Sequence, residues 1–261
     1  MIEITSSSND RVRRVQALQR STRRRLEEGL MVVEGSRLIK ELITSRFPVI
    51  DLFVAQDFIT DDHGRELIEQ VCDDDQCALV ADDLMQAMSD TMTPQGVLAV
   101  TIIPNLQPSS GVTLRLILDQ VRDPGNVGTM LRTAWAAGVD EVLIPPGTVD
   151  PTNPKVVRAG MGAHFHVPCH KMDWASIWRQ VDSDQILLAE TDEGLPYDTV
   201  NWRTSTTLII GGEAFGASQE ARVRAQYVRI PMAAGVESLN AAIAGAVMLF
   251  EAAKQRGTGR S

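Results

Sequence analysis

The hydrophobic positions form two kinds of run along most of the chain. Short segments that are apolar throughout, such as residues 30–33 and 97–102, predict buried strands. Between such segments apolar residues recur every three or four positions, as at Leu38 and Leu42, which is typical of helices with one buried face. The alternation stops at residues 104–111 and then resumes. The pattern therefore predicts two α/β regions in one chain.

The interruption between these regions is rich in Pro, Ser and Gly, which indicates a linker. We expect a first domain at residues 1–103, a linker at 104–111 and a second domain at 112–261. In the second domain several strands are apolar throughout, which predicts a parallel sheet covered by helices on both faces. A long helix at 238–254, with Ser238 as its N-cap, ends the pattern.

Composition excludes several classes of protein. Hydrophobic residues make up 44% and charged residues 23% of the chain, as in ordinary globular proteins. The chain has neither a signal-peptide pattern nor a run of about twenty apolar residues for a membrane span, so we expect a cytoplasmic protein. Cysteines without CxxC spacing argue against a disulfide framework and a zinc site, so free thiols are expected. The cysteines are Cys72, Cys77 and Cys169.

The formal net charge of -9 opposes nucleic-acid binding, but the charges are unevenly distributed. Basic residues crowd the predicted N-terminal helices. They are Arg11, Arg13, Arg14, Arg20, Arg23, Arg24 and Arg25. An acidic total is therefore compatible with a local basic face that contacts phosphates, although solvated surface charge is the alternative.

Three segments of the second domain combine glycine-rich turns with polar residues. They are Asn126-Val-Gly-Thr-Met-Leu-Arg132, Gly211-Gly-Glu213-Ala-Phe-Gly216, and Ile230-Pro-Met232 followed by Ser238-Leu-Asn240. Turns that follow parallel strands meet at the carboxyl edge of the sheet, where open α/β folds bind ligands. Taken singly, each segment also has an ordinary explanation, such as a helix cap at Asn126 or Ser238, or a tight turn at Gly211.

Together and in this order, the three motifs resemble those of the SpoU branch of the SPOUT RNA methyltransferases, which includes the TrmH-type ribose 2′-O-methyltransferases. Residues 33–35 and 94–97 resemble the ribosomal-protein-like RNA-binding domain that many of these enzymes carry. The resemblance implies a trefoil-knotted catalytic domain at 112–261, an RNA substrate-binding domain at 1–103 and a homodimer in which each active site is completed near the interface. It also implies S-adenosylmethionine as the cofactor and a ribose 2′-hydroxyl of structured RNA as the acceptor, with 23S-type ribosomal RNA favoured over tRNA.

The resemblance assigns roles to individual residues. The implied catalytic residues are Arg132, Asn126, Glu213, Ser238 and Asn240. The implied cofactor-binding residues are Thr191, Gly211, Ile230, Met232 and Leu239. Arg132 has the central role. Guanidinium stays protonated up to a pKa above about 12, so binding a substrate phosphate and stabilising the emerging oxyanion suit it better than proton abstraction. Glu213 is expected to orient Arg132 or loop N–H groups.

RNA contacts are expected from basic side chains in both regions, with solvated charge as the alternative. These residues are Arg23, Arg24, Arg25, Lys155 and Arg158. No metal is expected, because the histidines around Cys169 lack the spacing of known ligand sets.

Two other functions stay open. The first is a non-catalytic RNA-binding protein that keeps the SPOUT fold, which the intact Arg132 and Ser-Leu-Asn triplet disfavour. The second is a Rossmann-like enzyme, but the turn after Leu118 lacks the glycine-rich sequence paired with an acidic ribose ligand. Nothing in the sequence identifies the modified nucleotide.

Overall fold

A computed structural model of the chain describes residues 1–71, 76–109, 111–182, 184–213 and 216–257, with only the backbone of His63. The strands in these residues are β1 Ile2–Ile4, β2 Leu30–Glu34, β3 Val49–Ala55, β4 Cys77–Val80, β5 Val97–Ile102, β6 Leu114–Asp119, β7 Glu141–Ile144, β8 Cys169–Lys171, β9 Gln185–Ala189, β10 Leu195–Pro196, β11 Thr206–Gly211 and β12 Gln226–Arg229. The helices are α1 Asp10–Arg20, α2 Thr22–Glu28, α3 Ser36–Thr44, α4 Gln56–Thr60, α5 Asp62–Val71, α6 Asp82–Met88, α7 Pro124–Ala137, α8 Pro154–Gly160, α9 Trp174–Gln180, α10 Gln219–Arg224 and α11 Ala241–Arg256.

The chain forms two compact units. Unit 1 comprises Met1–Pro104 and Thr152–Phe165, and unit 2 comprises Asn105–Pro151 and His166–Ser261. The sequence pattern assigns residues 112–261 to a single domain, whereas the segment Thr152–Phe165 packs with unit 1. It carries α8, whose Val157 is buried in a cluster with residues of α3 and α5.

Unit 1 is built on a mixed sheet with the strand order β1-β4-β3-β5-β2. β5 is antiparallel to both of its neighbours, and the other pairs are parallel. Helices α1 and α6 cover one face, and α3 and α5 cover the other. Asn9 caps α1, and its side chain accepts from the N–H of Arg11 at 2.9 Å.

Unit 2 is built on the sheet β10-β12-β9-β11-β6-β7-β8, in which every pair of neighbours is parallel. This confirms the predicted parallel sheet. Adjacent residues of a strand point to opposite faces. Ile209 packs with α9 and α10, while Ile210 contacts the backbone of α11 at Gly245, so helices cover both faces. The carboxyl ends of β6, β11, β9 and β12 lie side by side.

The C-terminal helix begins later than predicted. Asn240, not Ser238, is its N-cap, and its side chain accepts from the N–H groups of Ala242 at 3.0 Å and Ile243 at 3.2 Å. Small residues at the start of α11 allow close packing, since a Cβ at Gly245 would lie 3.5 Å from the side chain of Ile210.

The cysteines differ from one another in state. Cys169 is a free thiol as expected, and burial raises its pKa to about 12. Cys77 is disulfide-bonded, so the prediction of a free thiol is wrong there, and Cys72 lies outside the described residues. In the described part of the chain no helix is long and apolar enough to cross a membrane, and no group of His, Cys, Asp or Glu side chains is arranged to hold a metal ion.

Candidate active site

A cleft of about 190 Å³ opens at the carboxyl edge of the sheet of unit 2. Its walls come from the chain after β9, β11 and β12 and from the first turns of α11. All the cofactor residues predicted from the sequence line it. They are Thr191, Gly211, Ile230, Met232 and Leu239. The structure thus gathers into one cleft residues that lie up to 48 positions apart (239 minus 191).

Backbone forms one wall of the cleft because its glycines leave no room for side chains. A Cβ at Gly212 would lie 2.1 Å from the carbonyl oxygen of Gln120, and a Cβ at Gly211 would lie 2.8 Å from the nitrogen of Ala217. The chain after β11 therefore folds directly against the end of β6. Ile230 and Leu239 also line the cleft, so it offers both backbone polar groups and apolar side chains, which suits a nucleoside.

Three predicted catalytic side chains form one hydrogen-bonded network at the rim of this cleft. The amide of Asn126 donates to Oε1 of Glu213 at 3.0 Å. The amide of Asn240 donates to the same oxygen at 2.6 Å and to Oδ1 of Asn126 at 3.0 Å. The N–H of Ala241 also reaches Glu213, at 3.3 Å. The network ties the first motif to the second and third, and each amide is held in one orientation.

Asn126 and Arg132 both lie on α7, but they differ in their hydrogen-bond partners. Its N-cap is Asp123, which accepts from the N–H of Asn126 at 2.8 Å, so the N-cap explanation for Asn126 itself is wrong. Arg132 is exposed and, within the described residues, has no hydrogen bond or ion pair. Glu213 braces the two asparagines and does not contact Arg132. The guanidinium is therefore available to a ligand.

Asp119 holds in place the loop after β11 that lines the cleft. This role was not predicted from the sequence. It ends β6, is fully buried and accepts from the N–H of Ser218 at 2.6 Å, which fixes the end of the loop after β11. Its other carboxylate oxygen, Oδ1, is buried without a partner in the described structure. Burial raises the pKa of Asp119, and the hydrogen bond from Ser218 only partly opposes this. An acidic residue directly after the apolar run at 116–118 was the available sequence signal.

Asp119→Asn is expected to flatten the pH dependence of stability. Because the folded-state pKa of Asp119 is raised, its favourable contribution is fully present below the ordinary carboxyl pKa of about 4 and is lost as the pH rises through the folded-state value. Urea unfolding from about pH 4 to pH 7 checks this. The variant should lose less stability than the wild type over that range, and parallel curves would contradict the argument.

Comparison with known proteins places the chain in a family. Residues 113–250 match the SpoU rRNA Methylase family, and residues 9–99 match the MRM3-like substrate binding domain. The chain belongs to the SpoU rRNA methylases. It is 30% identical over 254 residues to the 23S rRNA (guanosine(2553)-2′-O)-methyltransferase RlmP of Bacillus subtilis, covering 96% of this chain and 98% of that protein. It is 32% identical over 270 residues to a 23S rRNA (uridine(2479)-2′-O)-methyltransferase of Streptomyces viridochromogenes, covering 98% and 93%.

A solved structure supports the cofactor assignment for this SpoU methylase. The SpoU methyltransferase AviRb from Streptomyces viridochromogenes, in complex with AdoMet, matches with a TM-score of 0.83 and 28% identity over 97% of this chain and 100% of that one. The cofactor of the chain is S-adenosylmethionine. The glycine backbone and apolar walls of the cleft fit that molecule, with Gly211, Ile230 and Leu239 as the residues that would hold it.

One arginine of this SpoU methylase links two walls of the cleft and was not predicted from the sequence. Nη1 of Arg222 pairs with Glu190 at 2.7 Å, and its Nε donates to the carbonyl of Ala217 at 3.3 Å. Burial opposes its charge, but a hydrogen bond with Tyr227 and the charge of Glu190 outweigh this and raise the pKa of Arg222. No motif marks Arg222 or Glu190, so only the folded chain reveals the pair.

The basic residues expected to contact RNA on unit 1 are not equivalent. Arg25 is only 2% exposed, and its guanidinium donates to the carbonyl of Leu18 at 2.7 Å and to the hydroxyls of Thr22 at 2.9 Å and Thr152 at 3.0 Å. A side chain so enclosed cannot reach a phosphate, which contradicts the RNA contact predicted for Arg25. Arg23 and Arg24 are exposed and pair within α2, with Glu27 at 2.7 Å and with Glu28 at 2.9 Å.

Lys155 and Arg158 lie on α8 in unit 1. Lys155 is exposed, and within the described residues its ammonium group has no hydrogen bond or ion pair. Arg158 instead pairs with Asp90 at 2.8 Å and lies 3.7 Å from Glu34. Arg158 therefore holds the loop after α6, whereas Lys155 is available to a partner.

Proposed function

We propose that this SpoU methylase transfers a methyl group from S-adenosylmethionine to a ribose 2′-hydroxyl of large-subunit ribosomal RNA. The observation that carries the proposal is the cleft whose rim joins Asn126, Glu213 and Asn240 in one network. The names of the relatives support the substrate, since both curated relatives described above are 23S rRNA 2′-O-methyltransferases. They modify different nucleotides, so the nucleotide must be found by experiment.

The residues of the chain have a limited chemical task. S-adenosylmethionine, when bound, supplies a methyl group that its sulfonium already activates, so the protein must align the acceptor hydroxyl and weaken its O–H bond. Arg132 can pair with a substrate phosphate through two parallel N–H groups and stabilise the emerging oxyanion. Asn126, already fixed by Glu213, keeps one amide N–H that can be presented at the rim with little further loss of entropy, while Asn240 holds Asn126 and Glu213 in place.

We further propose that the enzyme is a cytoplasmic homodimer with a trefoil-knotted unit 2, as the resemblance implies. An exposed apolar stripe on α11 supports the dimer. Ile243 is 55% exposed and Phe250 is 52% exposed, and with half-buried Val247 they follow the i, i+4, i+7 spacing of one helix face. An rRNA substrate accounts for a cytoplasmic location.

Replacing Arg23 and Arg24 with Gln is expected to weaken RNA binding and to reduce the slope of log K against log salt by about 1 for each phosphate that the protein no longer neutralises. Lys155→Gln should act in the same way. Binding to an rRNA fragment at several salt concentrations measures the slope. Arg65→Gln is the matched control, because Arg65 is also exposed on unit 1 and paired within its helix, with Asp62. An unchanged slope would show that these residues are solvated surface charges that do not contact RNA.

Incubation of the purified enzyme with labelled S-adenosylmethionine and unmodified RNA tests the function directly. We expect label in a 2′-O-methylated nucleoside after digestion of rRNA, and far less after digestion of tRNA. Preferential labelling of tRNA would overturn the substrate assignment. Tight RNA binding without transfer to either RNA would favour the non-catalytic alternative.

A further inference from the structure

Glu190 is one of two acidic residues that line the cleft in the described part of the chain, and the other, Glu213, already belongs to the network with Asn126 and Asn240. It follows β9 directly, and its N–H donates to the carbonyl of Val228 in β12 at 2.9 Å. Glu190 therefore lies beside the point where the chain leaves β12 and reaches Ile230. Both Glu190 and Ile230 line the cleft, so an acidic and an apolar residue lie near each other in it.

Only one of the two carboxylate oxygens of Glu190 has a partner among the described residues. Its Oε1 pairs with Nη1 of Arg222 at 2.7 Å, and no described hydrogen bond reaches its Oε2. A carboxylate offers about four acceptor positions. The second oxygen can therefore accept hydrogen bonds from a group inside the cleft.

Arg222 does not itself line the cleft but is bonded to a second segment that does. Its Nε donates to the carbonyl of Ala217 at 3.3 Å, in the loop that also supplies the backbone wall. The pair with Glu190 is partly exposed, so the attraction between its charges adds little to folding stability. These contacts instead fix the position of Glu190 relative to that loop.

We propose that Arg222 positions Glu190 as the acceptor for the vicinal ribose hydroxyls of S-adenosylmethionine. We call the two residues the Arg222–Glu190 clasp. Two adjacent hydroxyls supply two donors to one carboxylate, and Ile230 beside Glu190 suits the adenine that is joined to the same ribose. Glu190 is then a specificity-determining residue and Arg222 a positioning residue. The inference rests on the proposed function and adds to it the contact that recognises the nucleoside part of the cofactor.

Calorimetric titration with two ligands tests the clasp. S-adenosylmethionine carries both the ribose and the amino-acid part, whereas 5′-methylthioadenosine keeps the ribose and adenine and lacks the amino acid. Glu190→Gln preserves the shape of the side chain but removes its charge, and we expect about tenfold weaker binding of both ligands. Arg222→Met should have a similar effect, and Arg222→Lys should recover part of the loss, since lysine can pair with Glu190 but cannot reproduce the guanidinium fork.

Arg224→Met is the matched control. Arg224 lies on the same helix, is about half exposed and stacks on Trp178 away from the cleft. Its replacement should leave both affinities within about twofold of wild type. In steady-state assays the clasp variants should raise KM for the cofactor more than they lower kcat, because the contact exists before the transition state.

Three other outcomes would each overturn a different part of the proposal. If the wild type binds S-adenosylmethionine and Glu190→Gln binds both ligands equally well, the clasp is wrong and the proposed function stands. If only S-adenosylmethionine binds more weakly, Glu190 contacts the amino-acid part and the ribose assignment is wrong. If the wild type does not bind S-adenosylmethionine, the proposed function itself fails.

Discussion

Arg132→Ala is expected to lower methyl transfer by about 10²- to 10³-fold or more, the usual effect of removing one preorganised charge-stabilising group. The dissociation constant of S-adenosylmethionine should change by less than about twofold, because Arg132 does not line the cofactor cleft. Arg132 also has no partner in the described part of the subunit, so its loss should not lower the melting temperature. Single-turnover transfer, calorimetry and thermal unfolding measure these three quantities separately.

Two substitutions sharpen the test of Arg132. Arg132→Lys should recover little activity, because an ammonium group cannot make the paired contacts of a planar guanidinium. Arg224→Ala removes a partly exposed arginine elsewhere on unit 2 and should leave transfer unchanged. Near-normal turnover in Arg132→Ala would exclude this residue from the mechanism.

Ile243→Arg and Phe250→Arg are expected to dissociate the proposed homodimer. Burying an aromatic or branched aliphatic side chain contributes about 1.5–3 kcal/mol, and a two-fold interface loses the contribution twice. The dimer dissociation constant should therefore rise by about 100-fold or more. Light scattering at micromolar concentration measures it. Activity should fall in parallel, since the resemblance implies that each active site is completed near the interface.

The choice of positions separates association from folding. Leu249 is fully buried within the subunit, so a charge there would unfold unit 2, whereas Ile243 and Phe250 are more than half exposed. Val223→Arg is the control, because Val223 is 72% exposed on α10 and lies outside the stripe on α11. A wild-type protein that is fully active as a monomer would contradict the proposed dimer.

Much of the fold follows from local pattern. Strands with a continuous apolar run, such as residues 116–118 of β6 and 208–210 of β11, predict a parallel sheet because both of their faces must be covered, and the sheet of unit 2 is entirely parallel. Periodicity cannot assign the segment Thr152–Phe165 to unit 1, because that depends on distant contacts such as the one between Arg25 and Thr152. Short elements such as β1 and α10 carry too few residues to show a period.

For the candidate site, too, one part could be predicted from the sequence and another could not. The motifs predicted which residues line the cleft, since each follows a strand whose end meets the others at one sheet edge. They did not predict the geometry among them. Glu213 braces Asn126 and Asn240 and not Arg132, and Asn240 doubles as the cap of α11. The burial of Arg25 could not be predicted either. A charged residue in a basic run is expected at the surface, and only the tertiary contacts show that it is enclosed.

Ribose-methylation mapping of total RNA from a strain that lacks this gene shows whether the enzyme methylates large-subunit ribosomal RNA. We expect a single 2′-O-methyl group of large-subunit ribosomal RNA to disappear, and wild-type protein but not Arg132→Ala to restore it. An unchanged map of ribosomal RNA, or the loss of a methyl group from tRNA alone, would contradict the proposed function.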